Sequence, residues 1–399
     1  MSWKEYKLKE ICSNIIDCVN KTAPTTDEET PYKMLRTTNI RNGIICEDDV
    51  KYVTKETFDI WTRRGTLKKG DILFTREAPL GEVGIVKNPE NFFLGQRIVL
   101  FRVNSNICDN RFILYSLLYR ENKESIIAKG VGSTVQHLRV PECENITLKI
   151  PDLAIQRKIA DTLSAYDELI ENNNKQIKLL EEAAQRLYKE WFIDLRFPGH
   201  ESTKIVDGVP EGWEKSRVCN VISIIRRGIS PKYSENGTSF VINQKCIRST
   251  IMDISNARRQ EKKFIKEMNL RDEDIVICST GSGTLGRVGK VFGEYKNTTF
   301  DSHITLIRAS QGIGKEYLFH TIKTKQKYLQ ESGKGSTNQL ELKKTSIEDI
   351  SIFIPKKDIY DKFETIAYNI HKKITSLSLT INYLKKQKMI LLSNFFTKI

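Results

Sequence analysis

The chain contains one short segment twice: Gly132-Ser133-Thr134-Val135-Gln136-His137-Leu138 and Gly335-Ser336-Thr337-Asn338-Gln339-Leu340. Other pairs lie a similar distance apart and in the same order: Asp71-Ile72-Leu73-Phe74 with Asp274-Ile275-Val276-Ile277, Leu80-Gly81-Glu82-Val83-Gly84 with Leu285-Gly286-Arg287-Val288-Gly289, and Ile150-Pro151 with Ile354-Pro355. Chance is a poor explanation for ordered matches over half of the chain. The 399 residues therefore encode two copies of one unit, which predicts a pseudo-twofold molecule on one polypeptide.

Each copy carries short β-branched or alternating runs bounded by Gly, Pro and Asn, a pattern typical of strands. They are Asp71–Thr75, Val83–Val86, Ile98–Val103 and Ile146–Ile150 in copy one, and Asp274–Cys278, Val288–Phe292, Ile304–Arg308 and Ile350–Ile354 in copy two. A helix-like stretch, Arg111–Leu118 or Glu316–Thr324, precedes each repeated segment. The predicted fold class is α+β, with two homologous mixed α/β domains.

Each copy ends in a long predicted helix. Apolar residues from Ile159 to Trp191 recur at alternating steps of four and three, which is a heptad seam. The second seam runs from Phe363 to Phe395 and is interrupted by Lys388. The first helix mixes both charges, whereas the second has no acidic residue after Glu364 and is rich in lysine. We therefore expect an antiparallel coiled coil of the two helices, with packing on each helix's own domain or a homodimer coil as alternatives.

These patterns predict five segments. They are a first globular domain at 1–151, a central long helix at 152–197, a linker at 198–209, a second globular domain at 210–355 and a C-terminal long helix at 356–399. Pro198-Gly199 ends the first helix. Lengthening the paired helices by one turn of about 5.4 Å would move the two domains apart by the rise of a base pair or two of DNA.

Composition favours a polyanion as the partner. Lys plus Arg number 64 against 50 for Asp plus Glu, so the net charge is +14, although a basic protein that merely stays soluble is the alternative. The eight cysteines form no Cys-x-x-Cys pair, and no two of the five histidines are spaced His-x-x-x-His. We therefore expect reduced thiols, no metal site and a cytoplasmic protein. No apolar run approaches the ~20 residues that cross a bilayer.

Catalytic motifs are lacking. Gly281-Ser282-Gly283-Thr284-Leu285-Gly286 matches a dinucleotide-binding pattern, but an alternating strand follows where that fold needs a helix, so we predict a β-turn. The sequence has no Walker motif and no Asn-Pro-Pro-Tyr run, and Glu142, Glu144 and Lys149 are interpreted as surface charges. The chain is predicted to have no catalytic residue and to bind no cofactor.

Hydroxyl, amide and histidine side chains in the repeated Gly-Ser-Thr segments, together with basic and amide side chains elsewhere in each copy, suit contacts to DNA phosphates and base edges. The candidates in copy one are Arg36, Asn39, Arg41, Arg76, Arg97, Arg102, Ser133, Thr134, Gln136, His137 and Arg139. Those in copy two are Asn243, Gln244, Lys245, Arg248, Arg258, Arg259, Arg287, His303, Ser336, Thr337, Asn338 and Gln339. The Gly-Ser-Thr loops are equally well explained as polar loops that cap a neighbouring helix, and each of the other candidates, taken alone, is more often a solvated surface residue than a contact.

The chain resembles the specificity (S) subunits of type I restriction-modification systems. The resemblance covers essentially its whole length. It rests on the two-copy organisation, the Gly-Ser-Thr loops, the Ile-Pro before each helix, and the run Asn172–Ile177, Leu187–Asp194 and Arg196–Glu201, which is similar to the family's central region. The lysine-rich second helix departs from the family pattern because it lacks an obvious copy of that run.

The resemblance implies a non-catalytic subunit with two target recognition domains, at 1–151 and 210–355. Each domain would read one half of a bipartite, asymmetric site in double-stranded DNA. The helices would dock two methyltransferase subunits, which carry S-adenosylmethionine and methylate adenine N6, and restriction subunits using ATP and Mg would join these. Residues assigned to partner binding are Leu187, Tyr188, Trp191, Phe192, Phe197, Phe395 and Phe396. A stand-alone DNA-binding regulator and an endonuclease are the alternatives.

Overall fold

The computed structural model describes residues 3–132, 135–333 and 340–397. They form two compact units: unit 1 consists of Met1–Glu171 with Asn382–Ile399, and unit 2 of Asn172–Ile381. Each unit therefore combines one globular copy with a segment of each long helix. Within the described ranges, no helix is both long enough and apolar enough to span a bilayer.

In its described part, unit 1 is built of short strands and helices. The strands are β1 (Lys4–Lys7), β2 (Cys12–Asp17), β3 (Lys33–Leu35), β4 (Ile40–Arg41), β5 (Ile44–Ile45), β6 (Lys51–Tyr52), β7 (Ile72–Thr75), β8 (Val83–Ile85), β9 (Phe92–Leu94), β10 (Ile98–Val103) and β11 (Thr147–Ile150). The helices are α1 (Leu8–Ile11), α2 (Lys55–Trp61), α3 (Asn110–Leu118), α4 (Arg120–Ala128), α5 (Val140–Glu144) and the start of α6 (Leu153–Tyr188).

Unit 2 repeats this plan. Its strands are β12 (Ile205–Val206), β13 (Val209–Pro210), β14 (Glu214–Arg217), β15 (Ile222–Arg227), β16 (Ser239–Ile242), β17 (Arg258–Gln260), β18 (Ile275–Cys278), β19 (Val288–Lys290), β20 (Thr298–Phe300), β21 (Ile304–Ala309) and β22 (Ser351–Ile354). Its helices are α7 (Lys315–Thr324), α8 (Gln326–Glu331), α9 (Lys344–Glu348) and most of α10 (Lys357–Thr397).

The sheets of the two units have the same strand order. A four-stranded sheet runs β2-β10-β7-β8 in unit 1 and β15-β21-β18-β19 in unit 2. A three-stranded sheet runs β6-β3-β9 in one and β17-β16-β20 in the other, and β1-β11 corresponds to β14-β22. In both units the outer pair of the larger sheet carries a register shift. The α+β class with two homologous domains is thus confirmed.

The larger sheet of unit 1 is covered on both faces. Side chains alternate along β7, so Ile72 and Phe74 join the core that contains α3, while Leu73 joins a second core on the opposite face. Unit 2 repeats the alternation, with Ile277 in one core and Val276 in the other. Because both faces of the sheet are buried, the sequences of these strands are apolar runs without alternating polar positions. Burial of each large apolar side chain contributes about 1.5–3 kcal/mol to stability.

The long helices form without interruption by Gly or Pro. Helix α6 has 36 residues, a rise of about 54 Å, and ends in a π-helical turn at Lys189–Ile193. Helix α10 has 41 residues. In unit 1, Leu163 of α6 shares a core with Phe396 of α10, and Lys388 donates to Asp167 at 2.5 Å. Leu163 precedes Asp167 in α6, whereas its partner Phe396 follows Lys388 in α10. The two helix segments therefore run antiparallel in unit 1.

Lys388 has a structural explanation. Its ammonium group lies 5.0 Å from the ring centroid of Tyr115 as well as on the Asp167 carboxylate, and its side chain is only 16% exposed. The residue that interrupts the apolar seam therefore completes a polar contact between the helices and α3 in unit 1.

Candidate nucleic-acid interface

A polar cleft of about 260 Å³ opens at one end of the larger sheet of unit 1. Arg76 and Glu77 follow strand β7, Arg97 directly precedes β10, and His137 comes from the loop after α4 and bridges to Glu77. Gln96 completes this set. The sheet thus brings together three residues that the sequence selected, Arg76, Arg97 and His137.

Hydrogen bonds fix the cleft side chains at different depths. The Arg76 guanidinium donates to the carbonyl of Leu138 at 3.1 Å and lies 3.1 Å from the Asp17 carboxylate, so it is largely covered. The Arg97 guanidinium contacts Glu77 at 3.2 Å, and 49% of its side chain is exposed. Arg97 also has φ 69°, a left-handed conformation that non-glycine residues seldom adopt, and its side chain lines the cleft. An exposed guanidinium held in this way can donate to phosphate or guanine.

The same backbone frame exists in unit 2. In unit 1 the Arg76 N–H donates to the Arg97 carbonyl at 2.8 Å, and in unit 2 the Ser279 N–H donates to the His303 carbonyl at 2.7 Å. The bridge between Glu77 and His137 is matched by the bridge between Thr280 and Glu341. Equivalent backbone positions therefore present different side chains in the two units.

The unit 2 frame has its own hydrogen-bond network. His303 Nδ1 lies 2.6 Å from the Thr280 hydroxyl, and the Gln244 amide donates to the Thr280 carbonyl. Arg287 donates to the Gly283 carbonyl at 2.7 Å, within the turn between β18 and β19. This turn holds the glycine-rich run, so the predicted β-turn is found and strand β19 follows it. Gln244 and His303 thus both contact Thr280, while Arg287 is held within the neighbouring turn.

Other candidates in unit 1 have internal partners. The Asn39 side chain is buried and bonds three backbone groups of its own loop, and Arg102 forms a bidentate pair with the buried Asp71 at 2.7 and 2.8 Å. Arg36 pairs with Asp49 and Arg139 with Glu142. Arg41 and Gln136 are exposed.

Unit 2 spreads its other candidates over two places. Arg258 stacks on the Tyr233 ring at 3.6 Å and Arg259 on the Phe240 ring at 4.9 Å, both from the edge strand β17. Asn243 caps a short turn by accepting from the Lys245 N–H at 2.8 Å. Lys245 and Arg248 are exposed near that turn. The candidates Ser133, Thr134, Ser336, Thr337, Asn338 and Gln339 lie outside the described residues.

The residues assigned to partner binding lie in cores. Tyr188, Trp191, Phe192 and Phe197 are at most 9% exposed and pack with Phe363 of α10, in a cluster that Leu187 borders. Phe396 is buried in the core of unit 1, with Phe395 packed beside it. These side chains stabilise the chain itself, so a partner at this segment would instead meet exposed neighbours such as Ile193, which is 53% exposed. The docking prediction stays untested.

Sequence reasoning missed the non-basic members of the clefts. The cleft of unit 1 is also lined by Glu77 and Gln96, and the equivalent frame of unit 2 includes Thr280 and Glu341. The sequence analysis selected residues mainly for positive charge or an amide group and did not include these four. The available signal was adjacency, because Glu77 follows Arg76 and Gln96 precedes Arg97 in the chain. A cleft that carries both donors and acceptors suits base edges better than one with donors alone.

Two homologous domains thus present different polar side chains on one backbone frame. The family model described as the type I restriction modification DNA specificity domain matches residues 1–182 and 210–383. The chain belongs to this family of DNA specificity subunits.

Comparison with individual proteins gives the same result. The chain is 28% identical over 333 residues to the type I restriction enzyme MjaIX specificity subunit of Methanocaldococcus jannaschii, covering 80% of this chain and 74% of the relative. It is 24% identical over 457 residues to the HindI specificity subunit of Haemophilus influenzae, covering 94% and 95%. The crystal structure of an S subunit from M. genitalium superimposes with a TM-score of 0.58 at 17% sequence identity, and the match covers 99% of this chain and 96% of that chain. This similarity supports the fold.

Proposed function

We propose that this chain selects the DNA sequence on which a type I restriction-modification complex acts. Each recognition domain reads one half of a bipartite, asymmetric site in double-stranded DNA through the cleft at the end of its larger sheet. The observation that carries the proposal is the equivalent backbone frame of the two domains, in which Arg97, Glu77 and His137 of unit 1 correspond to His303, Thr280 and Glu341 of unit 2. Different donors and acceptors on one frame favour different bases.

The long helices serve as the spacer and as the docking surface. Helices α6 and α10 each contribute to both units, so the separation of the half-sites follows from their length. Two methyltransferase subunits dock on them and bring S-adenosylmethionine for adenine N6 methylation, and restriction subunits with ATP and Mg can join. The net charge of +14 favours DNA binding in a cytoplasmic complex.

The chain contributes specificity and no chemical step. The arginines in the described cleft of unit 1 form ion pairs with Asp17 and Glu77, an arrangement that positions donors rather than activates a nucleophile. Methyl transfer and DNA cleavage then belong to the partner subunits, and this chain determines where they act.

Two reciprocal substitutions test the assignment of half-sites. The complex is assembled with Arg97→Ala or with His303→Ala, and methylated adenines are mapped by single-molecule sequencing. Loss of one base-reading donor costs about 1–3 kcal/mol of discrimination, so each variant relaxes the sequence at one half-site, and the two variants affect opposite halves. Arg120→Ala is the matched control because Arg120 is exposed on α4 and, among the residues that the structure describes, forms an ion pair only with Glu124, at 3.5 Å. Relaxation of both halves by one variant contradicts the proposal.

Co-purification separates this function from that of a stand-alone regulator. A specificity subunit forms a stable complex with the methyltransferase subunits from the same host and then binds its site tightly. A regulator would bind its site with nanomolar affinity as a free chain, and that result would replace the present proposal.

A further inference from the structure

Unit 2 contains a buried cluster of titratable side chains beside the long helix. Glu316 and His320 lie one turn apart on the same face of α7, and His371 faces them from α10. The three residues are 0%, 2% and 0% exposed. Lys290 of β19, also fully buried, pairs with Glu316. A cluster so completely removed from water requires partners for all its polar atoms.

Several of these atoms have no partner. Glu316 Oε2 accepts from His371 Nδ1 at 2.6 Å, and the two imidazole rings of His320 and His371 stack at 5.3 Å. Both ring nitrogens of His320 and Nε2 of His371 make no hydrogen bond in the described structure.

Unit 1 shows what the same position looks like when its polar groups are satisfied. Tyr115 of α3, the counterpart of His320, donates to Asp167 of α6 at 2.7 Å. Lys388 donates to the same carboxylate at 2.5 Å, and Arg111, the counterpart of Glu316, pairs with Asp161 at 2.8 Å. This part of the fold can therefore hold polar side chains whose hydrogen bonds are all made. In unit 2 the equivalent positions carry two imidazoles and a carboxylate instead.

We infer that Glu316, His320 and His371 bind one divalent transition-metal ion, with Zn²⁺ as the preferred species. One ligand atom from each residue lies within 4.8 Å of the others, and two imidazoles with one carboxylate are a usual zinc donor set. Tetrahedral bonds of about 2.1 Å place ligand atoms roughly 3.3 Å apart, so small side-chain rotations open the hydrogen bond between His371 and Glu316 on binding. Lys290 holds the other oxygen of Glu316 and orients the carboxylate.

The ion would fasten the globular part of unit 2 to α10. Glu316 and His320 belong to the globular copy, whereas His371 belongs to the spacer helix, so one ion links the two. The sequence predicted no metal because the two histidines lie on different helices and no local spacing relates them. Because the cluster is closed to solvent, the metal is acquired during folding and released on unfolding.

The full chain, purified without a polyhistidine tag, is unfolded in urea with EDTA and refolded with Zn²⁺, with Co²⁺ or with EDTA. Elemental analysis after gel filtration should give about one Zn²⁺ per chain, and the Co²⁺ form should show the visible absorption of tetrahedral cobalt. His320→Phe, which keeps an aromatic ring in the stack, should reduce the bound metal to below about 0.1 per chain. His371→Gln is the second variant should the first one not refold.

The control is His200→Gln, because His200 lies on the partly exposed linker, away from the cluster, where its ring contacts the Phe197 carbonyl, the Phe197 ring and Glu201. This variant should retain the metal in full. Wild-type chain that refolds without bound Zn²⁺, or His320→Phe and His371→Gln chains that both bind as much as wild type, would overturn the inference. Since these measurements use no DNA, their failure leaves the proposed function unaffected.

Discussion

Phe396, the penultimate residue of α10, is expected to hold unit 1 together. Its ring is 3% exposed and stacks on Phe112 and Tyr119, each at 5.4 Å, with Trp3 at 6.0 Å. Truncating a buried Phe to Ala costs about 3–5 kcal/mol, and contact with three rings places this site near the middle of that range. Phe396→Ala should therefore lower the free energy of unfolding of unit 1 by about 4 kcal/mol.

Hydrogen exchange measured by mass spectrometry resolves the two units. A loss of about 4 kcal/mol speeds exchange of the slowest amides in β7 and β10 by roughly 1,000-fold, while β18 and β21 of unit 2 serve as the internal reference. Met389→Ala is the matched control on the same helix, because Met389 is 65% exposed and should change stability by less than about 0.5 kcal/mol. Wild-type exchange rates in β10 of the Phe396→Ala protein would refute the role given to this ring.

Three further outcomes are expected. Arg308→Met leaves the buried Asp274 without its bidentate partner, so urea denaturation should show a loss of about 3–5 kcal/mol, and a loss below about 1 kcal/mol would contradict this. Burial raises the pKa of Glu82, but hydrogen bonds from Lys123 and a backbone N–H outweigh this effect and leave the pKa below its usual value. The Glu82–Lys123 ion pair therefore stabilises the folded chain at neutral pH, and this stabilisation is lost as the pH falls through the pKa of Glu82 in the folded state. Glu82→Gln should cost roughly 1 kcal/mol at pH 7 and progressively less in acid, whereas a difference constant with pH would count against the ion pair. Inserting one heptad, about 10.5 Å, into both long helices should widen the gap between methylated half-sites by about three base pairs, and an unchanged gap would exclude the spacer role.

The duplication and the main strands were predictable because both depend on local patterns. Apolar runs such as Ile72–Thr75 are long enough to reveal a buried strand, and Leu153–Tyr188 reveals its seam over many turns. Strands β3 and β9 have three residues each, which is too few to show the alternation of apolar and polar residues that marks a strand. They are recognised as strands by their parallel pairing in the structure. Lys388 looked like a flaw in the seam, since its partners Tyr115 and Asp167 lie far away in the chain.

The candidate site was only partly predictable for a related reason. Arg97 and His137 were selected by residue type, but their common cleft arises when a strand end and a distant loop meet. Asn39 has the composition of a DNA contact, yet its amide bonds its own loop. The aromatic residues around Tyr188 were assigned to a surface because side-chain type does not distinguish a core cluster from a docking patch.

The contact between Trp3 and Phe396 places the segment before β1 beside the last turn of α10 within unit 1. A short peptide that links Trp3 to Thr397 would therefore close the chain into a loop without disturbing either core. New ends could be opened at the exposed Pro198-Gly199 bend, giving a permuted gene in which the second domain is translated first. Gene order would then be free to change while the pair of DNA half-sites that the protein selects stayed the same.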